Sequence, residues 1–116
     1  MEKQIDLNNM SKIEVEQIDV SPYVGKFTTI ETVKQIETKF GIAIKISSEV
    51  LDTVKIEGKD DIVLKASRIF SITQEGEIII GSKLDKFLEK QGVKQPLDLV
   101  GTKIQVLKNE KDYLTF

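Results

Sequence analysis

The stretch EIIIGSKLDKFLEKQGVKQPLDLVGTKIQVL, residues 77–107, most restricts what this chain can become, because it reads as strand, helix, turn and strand. Leu84, Phe87 and Leu88 fall at i, i+3 and i+4 in one apolar stripe, while Asp85, Lys86, Glu89 and Lys90 occupy the other faces. Ser82 followed three residues later by Asp85 is a capping-box pattern, Lys90 complements the negative end of the helix dipole, and Gly92 supplies a left-handed residue to end it. The expected helix is therefore bounded by Ser82 and Gly92. One short helix within a run of strands, carrying three large apolar side chains, suits a plug in the open end of a small barrel.

Upstream the pattern is extended. Residues 1–11 are polar and read as a loose N-terminal arm, to which Ile5 and Leu7 add contacts. Residues 12–20 alternate at Ile13 and Val15, then resume out of phase at Ile18 and Val20, which predicts a bend near Gln17. After a turn at Ser21, Pro22 and Gly25, residues 26–38 form a long β-branched run. Thr28 and Ile30 share a face there while Val33 is out of phase, so a bulge at Glu31 and Thr32 is needed to return Val33 to the core. Lys39, Phe40 and Gly41 turn the chain. In residues 42–50, Ile42, Ile44 and Ile46 alternate with Ala43, Lys45 and Ser47, the clearest period-two signal present. Beyond a polar turn at 58–61, residues 62–72 read as a further strand with Ile62, Leu64 and Ala66 on one face and Lys65 and Ser67 on the other. Short strands are expected at 78–80, 104–107 and 113–116, and Pro96 opens a helical turn ended by Gly101.

Composition removes whole classes of chemistry. With no cysteine there is no disulfide, thiolate metal site or thiol nucleophile, and with no histidine the usual general base and commonest metal ligand are missing. Asp60 with Asp61, and Glu75 with Glu77, sit on separate turns without the glycine-spaced pattern of a calcium loop. No phosphate-binding glycine loop or nucleophile elbow occurs, so the expectation is a non-enzyme with no cofactor and no metal. A net charge of -2 argues against coating duplex nucleic acid by bulk electrostatics but leaves room for a local basic groove. No apolar run approaches the roughly 18 to 20 residues of a membrane span, and the default expectation is a cytoplasmic protein without membrane contact.

Strands at 26–38, 42–50, 62–72, 104–107 and 113–116, with the helix between the third and fourth, have the element order of a five-stranded OB-type Greek-key barrel. The expected class is mainly β, with an extra N-terminal strand, and residues 12–116 forming one domain. The segments PYVGKFTTIETV, ASRIF and GSKLDKFLEKQGVKQPLDLVGTKIQV carry a resemblance to small prokaryotic single-stranded-DNA-binding OB-fold domains. That resemblance implies a barrel that takes a strand of nucleic acid across its second and third strands and the adjoining loops. The chain departs from those domains in having no tryptophan and few other aromatics.

Binding a single strand without sequence preference calls for cations that follow the phosphates and aromatic faces on which bases stack. If Ile42, Ile44 and Ile46 point inward, Lys45 points outward, as does Lys65 by the same alternation. Lys34 and Lys39, with Phe40 at the hairpin tip, form one rim; the bland alternative folds Phe40 back over the hairpin. Arg68 is a phosphate contact or the partner of a nearby carboxylate, and Phe70 reads as core. Tyr113 borders the loop 108–112, where Lys108 and Lys111 are opposed by Glu110 and Asp112. The candidate nucleic-acid-binding residues are therefore Lys34, Lys39, Phe40, Lys45, Lys65, Arg68 and Tyr113. Lys83, Lys86, Lys90 and Lys94 form the densest basic run, but Asp85 and Glu89 interrupt it and it reads as a solvated helix face. Two functions follow: a non-catalytic single-stranded-DNA-binding protein with little sequence preference, or a protein-interaction barrel or assembly subunit, with a protein partner or as a homo-oligomer, that binds no nucleic acid.

Overall fold

A computed structural model describes residues 6–10 and 19–116. Among these residues the strands are β1 (Phe27–Thr38), β2 (Gly41–Ser48), β3 (Asp52–Val54), β4 (Ile62–Leu64), β5 (Ser67–Ser71), β6 (Lys103–Gln105), β7 (Leu107–Lys108) and β8 (Leu114–Thr115), with one α-helix, α1 (Lys83–Gln91), between β5 and β6. They form a four-stranded antiparallel sheet in the order β5-β2-β1-β6 and two separate hairpins, β3–β4 and β7–β8. Short 3-10 turns span Ser21–Tyr23 and Pro96–Leu99.

Local signals act where they were expected. The β1–β2 register shifts between Ile30 and Thr32, and that bulge lets Val33 join Ile30 against the core. At the hairpin tip the Thr38 hydroxyl donates to the Gly41 carbonyl and accepts from the Phe40 N–H. Gly41 has φ of 118°, a conformation that strains any residue with a side chain, and the Gln74 amide would have to swing aside to admit a Cβ there. Helix α1 starts at Ser82, whose hydroxyl accepts from the Asp85 N–H, and stops at Gly92 with φ of 73°. The Asp85 carboxylate accepts from the Gly81 N–H at 2.7 Å rather than from the cap residue itself. Leu84, Phe87 and Leu88 are buried and join Ile30, Ile46, Ala66, Phe70, Leu99, Ile104, Val106, Leu114 and Phe116 in one core.

The expected five-stranded closed barrel is not formed. The run 62–72 is not one strand, because Ala66 is fully buried and spends its main-chain groups on Ser48: its N–H donates to Ser48 Oγ at 2.9 Å and its carbonyl accepts from the Ser48 N–H at 2.8 Å. β4 thereby leaves the main sheet to pair with β3, and the helix follows the fifth strand instead of lying between the third and fourth. A second break at Val106, whose N–H and carbonyl bond to Lys26 and Gly25, divides the run 104–107 into β6 and β7. β8 packs beside β5 without a hydrogen-bonded ladder, so the sheet does not close on itself. The expected strand at 78–80 is also absent. Thr73 and Glu77 are tied together by two hydrogen bonds, the chain turns at Ile80, and Ile80 is 95% exposed. Leu7 is exposed and adds no core contact; Ile5 and residues 11–18, which hold most of the extra N-terminal strand expected at 12–20, lie outside the described residues, and residues 19–20 are not in a strand. Among the described residues no helix is long and apolar enough to cross a membrane.

One tertiary hydrogen bond gives the fold a pH signature. Tyr23 donates its hydroxyl to Asp52 Oδ2 at 2.5 Å, pinning the β3–β4 hairpin to the first 3-10 turn. That bond holds the Asp52 carboxyl below its ordinary 3.8, helped by the Thr53 N–H, and pushes the Tyr23 phenol above its ordinary 10.0. The depressed carboxyl contributes stability above its unfolded value that is lost as pH falls through the folded one; the raised phenol contributes stability below its unfolded value that is lost as pH rises through the folded one. The stability difference between the parent chain and Tyr23→Phe should therefore be flat between about pH 4 and about pH 10 and shrink on both sides. Thermal unfolding of the two proteins across that range checks it, and a difference that does not depend on pH would dismiss the contact.

Candidate functional site

Strand register decides which side chains share the outer face of the sheet. Lys34 on β1 lies directly opposite Lys45 on β2, which lies opposite Ile69 on β5. The rows on either side are Thr32, Ser47 and Ser67, and Ile36, Ala43 and Ser71. No carboxylate occurs in these rows. Like charges directly opposite in an antiparallel pair disfavour the sheet, so Lys34 and Lys45 hold a concentrated positive charge at some cost to stability. Among the described residues the one ion pair is Lys108 with Asp112, at 3.5 Å, and it involves neither lysine.

Beside this face lies a groove of about 480 Å³ between β2, the β4–β5 junction and the last hairpin. Lys45, Lys65, Arg68 and Tyr113 line it together with the apolar Val63 and Ile69 and, among the described residues, the single carboxylate of Asp112. Each is positioned by a nearby turn or ladder. Lys65 occupies the break between β4 and β5 that Ala66 creates. Tyr113 follows a turn in which the Asn109 side chain accepts from the N–H groups of Lys111 and Tyr113, with Asp112 at φ of 62°. Tyr113 is 66% exposed and Ile69 54% exposed, so both present accessible surface.

Four of the seven residues singled out from sequence, Lys45, Lys65, Arg68 and Tyr113, therefore line one groove, and Lys34 flanks it through its pairing with Lys45. Lys39 and Phe40 do not. Phe40 is 83% exposed, its ring 5.1 Å from the Lys39 ammonium, so it is not folded over the hairpin. The tip is nonetheless about 16 Å along β2 from Lys45 at ordinary strand rise, outside the groove. Arg68 pairs opposite Ile46 and so lies on the core side of the sheet. Its guanidinium stacks 4.6 Å from the Phe70 ring and 5.7 Å from the Phe87 ring and donates to the Phe116 main-chain oxygen at 3.2 Å, bridging the gap between β5 and β8. Phe70 is buried, as its sequence context suggested.

Ala43 and Ser47, expected to point outward, do so by register but are buried, being short side chains on a central strand with a neighbour on either side. Ser47 Oγ lies 3.3 Å from Ser67 Oγ. The apolar members of the groove, Val63 and Ile69, had no distinguishing signal in the sequence. Among the described residues no group of three or more acidic side chains is placed to hold a metal ion. The arrangement provides fixed cations, one exposed phenol ring and an apolar floor, which suits capture of a polyanion carrying flat apolar groups. No protein family, curated protein or solved structure matches this chain.

Proposed function

We propose that this protein is a non-catalytic, cytoplasmic binder of single-stranded nucleic acid, favouring DNA and reading little sequence. The observation that supports it above others is the Lys34–Lys45 row, two lysines held face to face with no carboxylate in the adjoining rows of the sheet. That row continues into a groove where Lys65 and the exposed Tyr113 ring converge. Lys34, Lys45 and Lys65 neutralise phosphates, Tyr113 offers a face for stacking, and Val63 and Ile69 shield the base from water.

The test is fluorescence anisotropy of a labelled mixed-sequence single strand of about 30 nucleotides, at low and moderate salt, with duplex as control. Tyr113→Ala should weaken binding by roughly 5- to 150-fold, the range of about 1–3 kcal/mol that stacking one base contributes. Lys45→Gln should weaken binding and reduce its salt dependence, yet stabilise the folded protein by about 0.2–1 kcal/mol, because it removes a like-charge cross-strand pair. Opposite signs for binding and stability would mark Lys45 as a functional residue. Absence of salt-sensitive binding to the single strand would overturn the reading in favour of a protein-interaction module, for which the exposed Ile79, Ile80 and Leu97 provide apolar surface.

A further inference from the structure

The lysines of α1, taken singly, alternate with acids along the sequence, but the helix sorts them. At about 100° per residue Lys83, Lys86 and Lys90 fall within an arc of about 60°, while Asp85 and Glu89 are centred roughly 110° further round. The Asp85 carboxylate is also tied to the Gly81 N–H. The lysine side faces a second concavity of about 510 Å³, lined by Lys83, Lys86, Lys90, Arg68, Phe87 and Phe116 among others, with no Asp or Glu side chain in its wall among the described residues. Among the described residues none of these four cations takes part in an ion pair. Arg68 borders both this concavity and the groove containing Lys45, Lys65 and Tyr113. The two basic surfaces therefore meet at the gap between β5 and β8.

We infer that the lysine face of α1, with Arg68 at its inner end, is a second phosphodiester-binding segment over which the same nucleic-acid strand continues after leaving the Lys45–Tyr113 groove. This extends the binding proposed above and rests on it. The occupant follows from the chemistry. Lys83 to Lys90 spans about 10 Å of helix, the length of about three phosphates at the 3.4 Å spacing of a duplex strand and fewer in an extended one. Arg68 already donates to the Phe116 main-chain oxygen, but among the described residues Lys83, Lys86 and Lys90 are in no ion pair, and such a row of lysines favours a repeating anion over a single headgroup. Phe87 and Phe116 are buried, so this segment binds backbone and stacks no bases. It adds affinity and salt dependence without sequence preference.

The experiment uses the full chain carrying Lys83→Gln, Lys86→Gln and Lys90→Gln together, with far-UV circular dichroism to establish folding and a Lys→Arg variant at the same three positions as a charge-retaining control. Binding is measured against salt for single strands of about 6 and about 30 nucleotides, lengths near the lower end of and well above the site size of roughly 4–16 nucleotides that one small domain covers. For the long strand the slope of log K against log salt should fall in magnitude by about 2, since each phosphate contact to a single strand contributes about 0.7. That corresponds to a loss on the order of 100-fold at about 0.1 M salt. The short strand should bind as it does to the parent chain, and the arginine variant should retain the full slope. An unchanged slope for the long strand, with Tyr113→Ala still weakening binding, would overturn the extension and leave the groove standing. Equal loss for both lengths would overturn it too, placing primary binding on the helix. Polyglutamate of matched charge bound as tightly, with the same dependence on the three lysines, would overturn the phosphodiester assignment in favour of an acidic polypeptide. Failure of the parent chain to bind either strand would remove both proposals.

Discussion

Phe87→Ala is expected to destabilise the protein by about 3–5 kcal/mol, the range for deleting a buried aromatic ring whose surroundings cannot collapse. Phe87 is 7% exposed, with ring centroids 5.2 Å from Phe70 and 5.7 Å from Phe116, so it joins the helix to β5 and to the C-terminal hairpin. Arg68 rests on the same aromatic group, 5.7 Å from the Phe87 ring, and loses part of its platform when that ring goes. Without a closed ladder between β5 and β8, this cluster carries much of the connection across the gap. Against a total stability of about 5–15 kcal/mol the loss is large. Urea denaturation should show a lowered midpoint with an unchanged slope. Phe87→Leu, which retains more of the volume, should fall between the two. A loss below about 1 kcal/mol for the alanine variant would mean that the helix does not plug the core as described.

The second large effect is expected at Ser48, which is fully buried. Its hydroxyl accepts from the Ala66 N–H at 2.9 Å and donates to the Glu49 carbonyl at 2.8 Å. Ser48→Ala leaves the buried Ala66 N–H without a partner, which costs about 1–3 kcal/mol. Because that hydrogen bond enforces the break between β4 and β5, amide exchange should quicken at Ala66 and in the β3–β4 pairing before it does in β1 or β2. Ser47→Ala provides the contrast. Among the described residues Ser47 Oγ is hydrogen-bonded to Ser67 Oγ alone, at 3.3 Å, and the change should cost no more than about 1 kcal/mol. Equal effects at Ser47 and Ser48 would show that burial alone, and not the Ala66 bond, matters there.

The Lys83, Lys86 and Lys90 stripe was legible in principle, since i, i+3 and i+7 spacing places three residues on one side of a helix. Along the chain Asp85 and Glu89 interrupt it, whereas around the helix axis they fall on another side. Arg68 was legible as a cation but not as a core-side residue. Its orientation follows from its pairing with Ile46, and the phase of β5 is reset at Ala66.

The sequence by itself determined the features whose causes lie within a few residues. The helix ends at Ser82 and Gly92, its Leu84, Phe87 and Leu88 face, the bulge between Ile30 and Thr32 and the turn at Gly41 all follow from capping, periodicity and backbone freedom. Only the tertiary structure decided what depends on partners far apart in the chain. The Ser48–Ala66 bond, spanning 18 residues, divides one expected strand into two and prevents the expected barrel order. Strand register sets Lys34 against Lys45, and the gap between β5 and β8 places Arg68 where the two basic surfaces meet. Such contacts form when buried polar groups must find partners in a packed core, and that demand leaves no periodic mark on the residues that meet it.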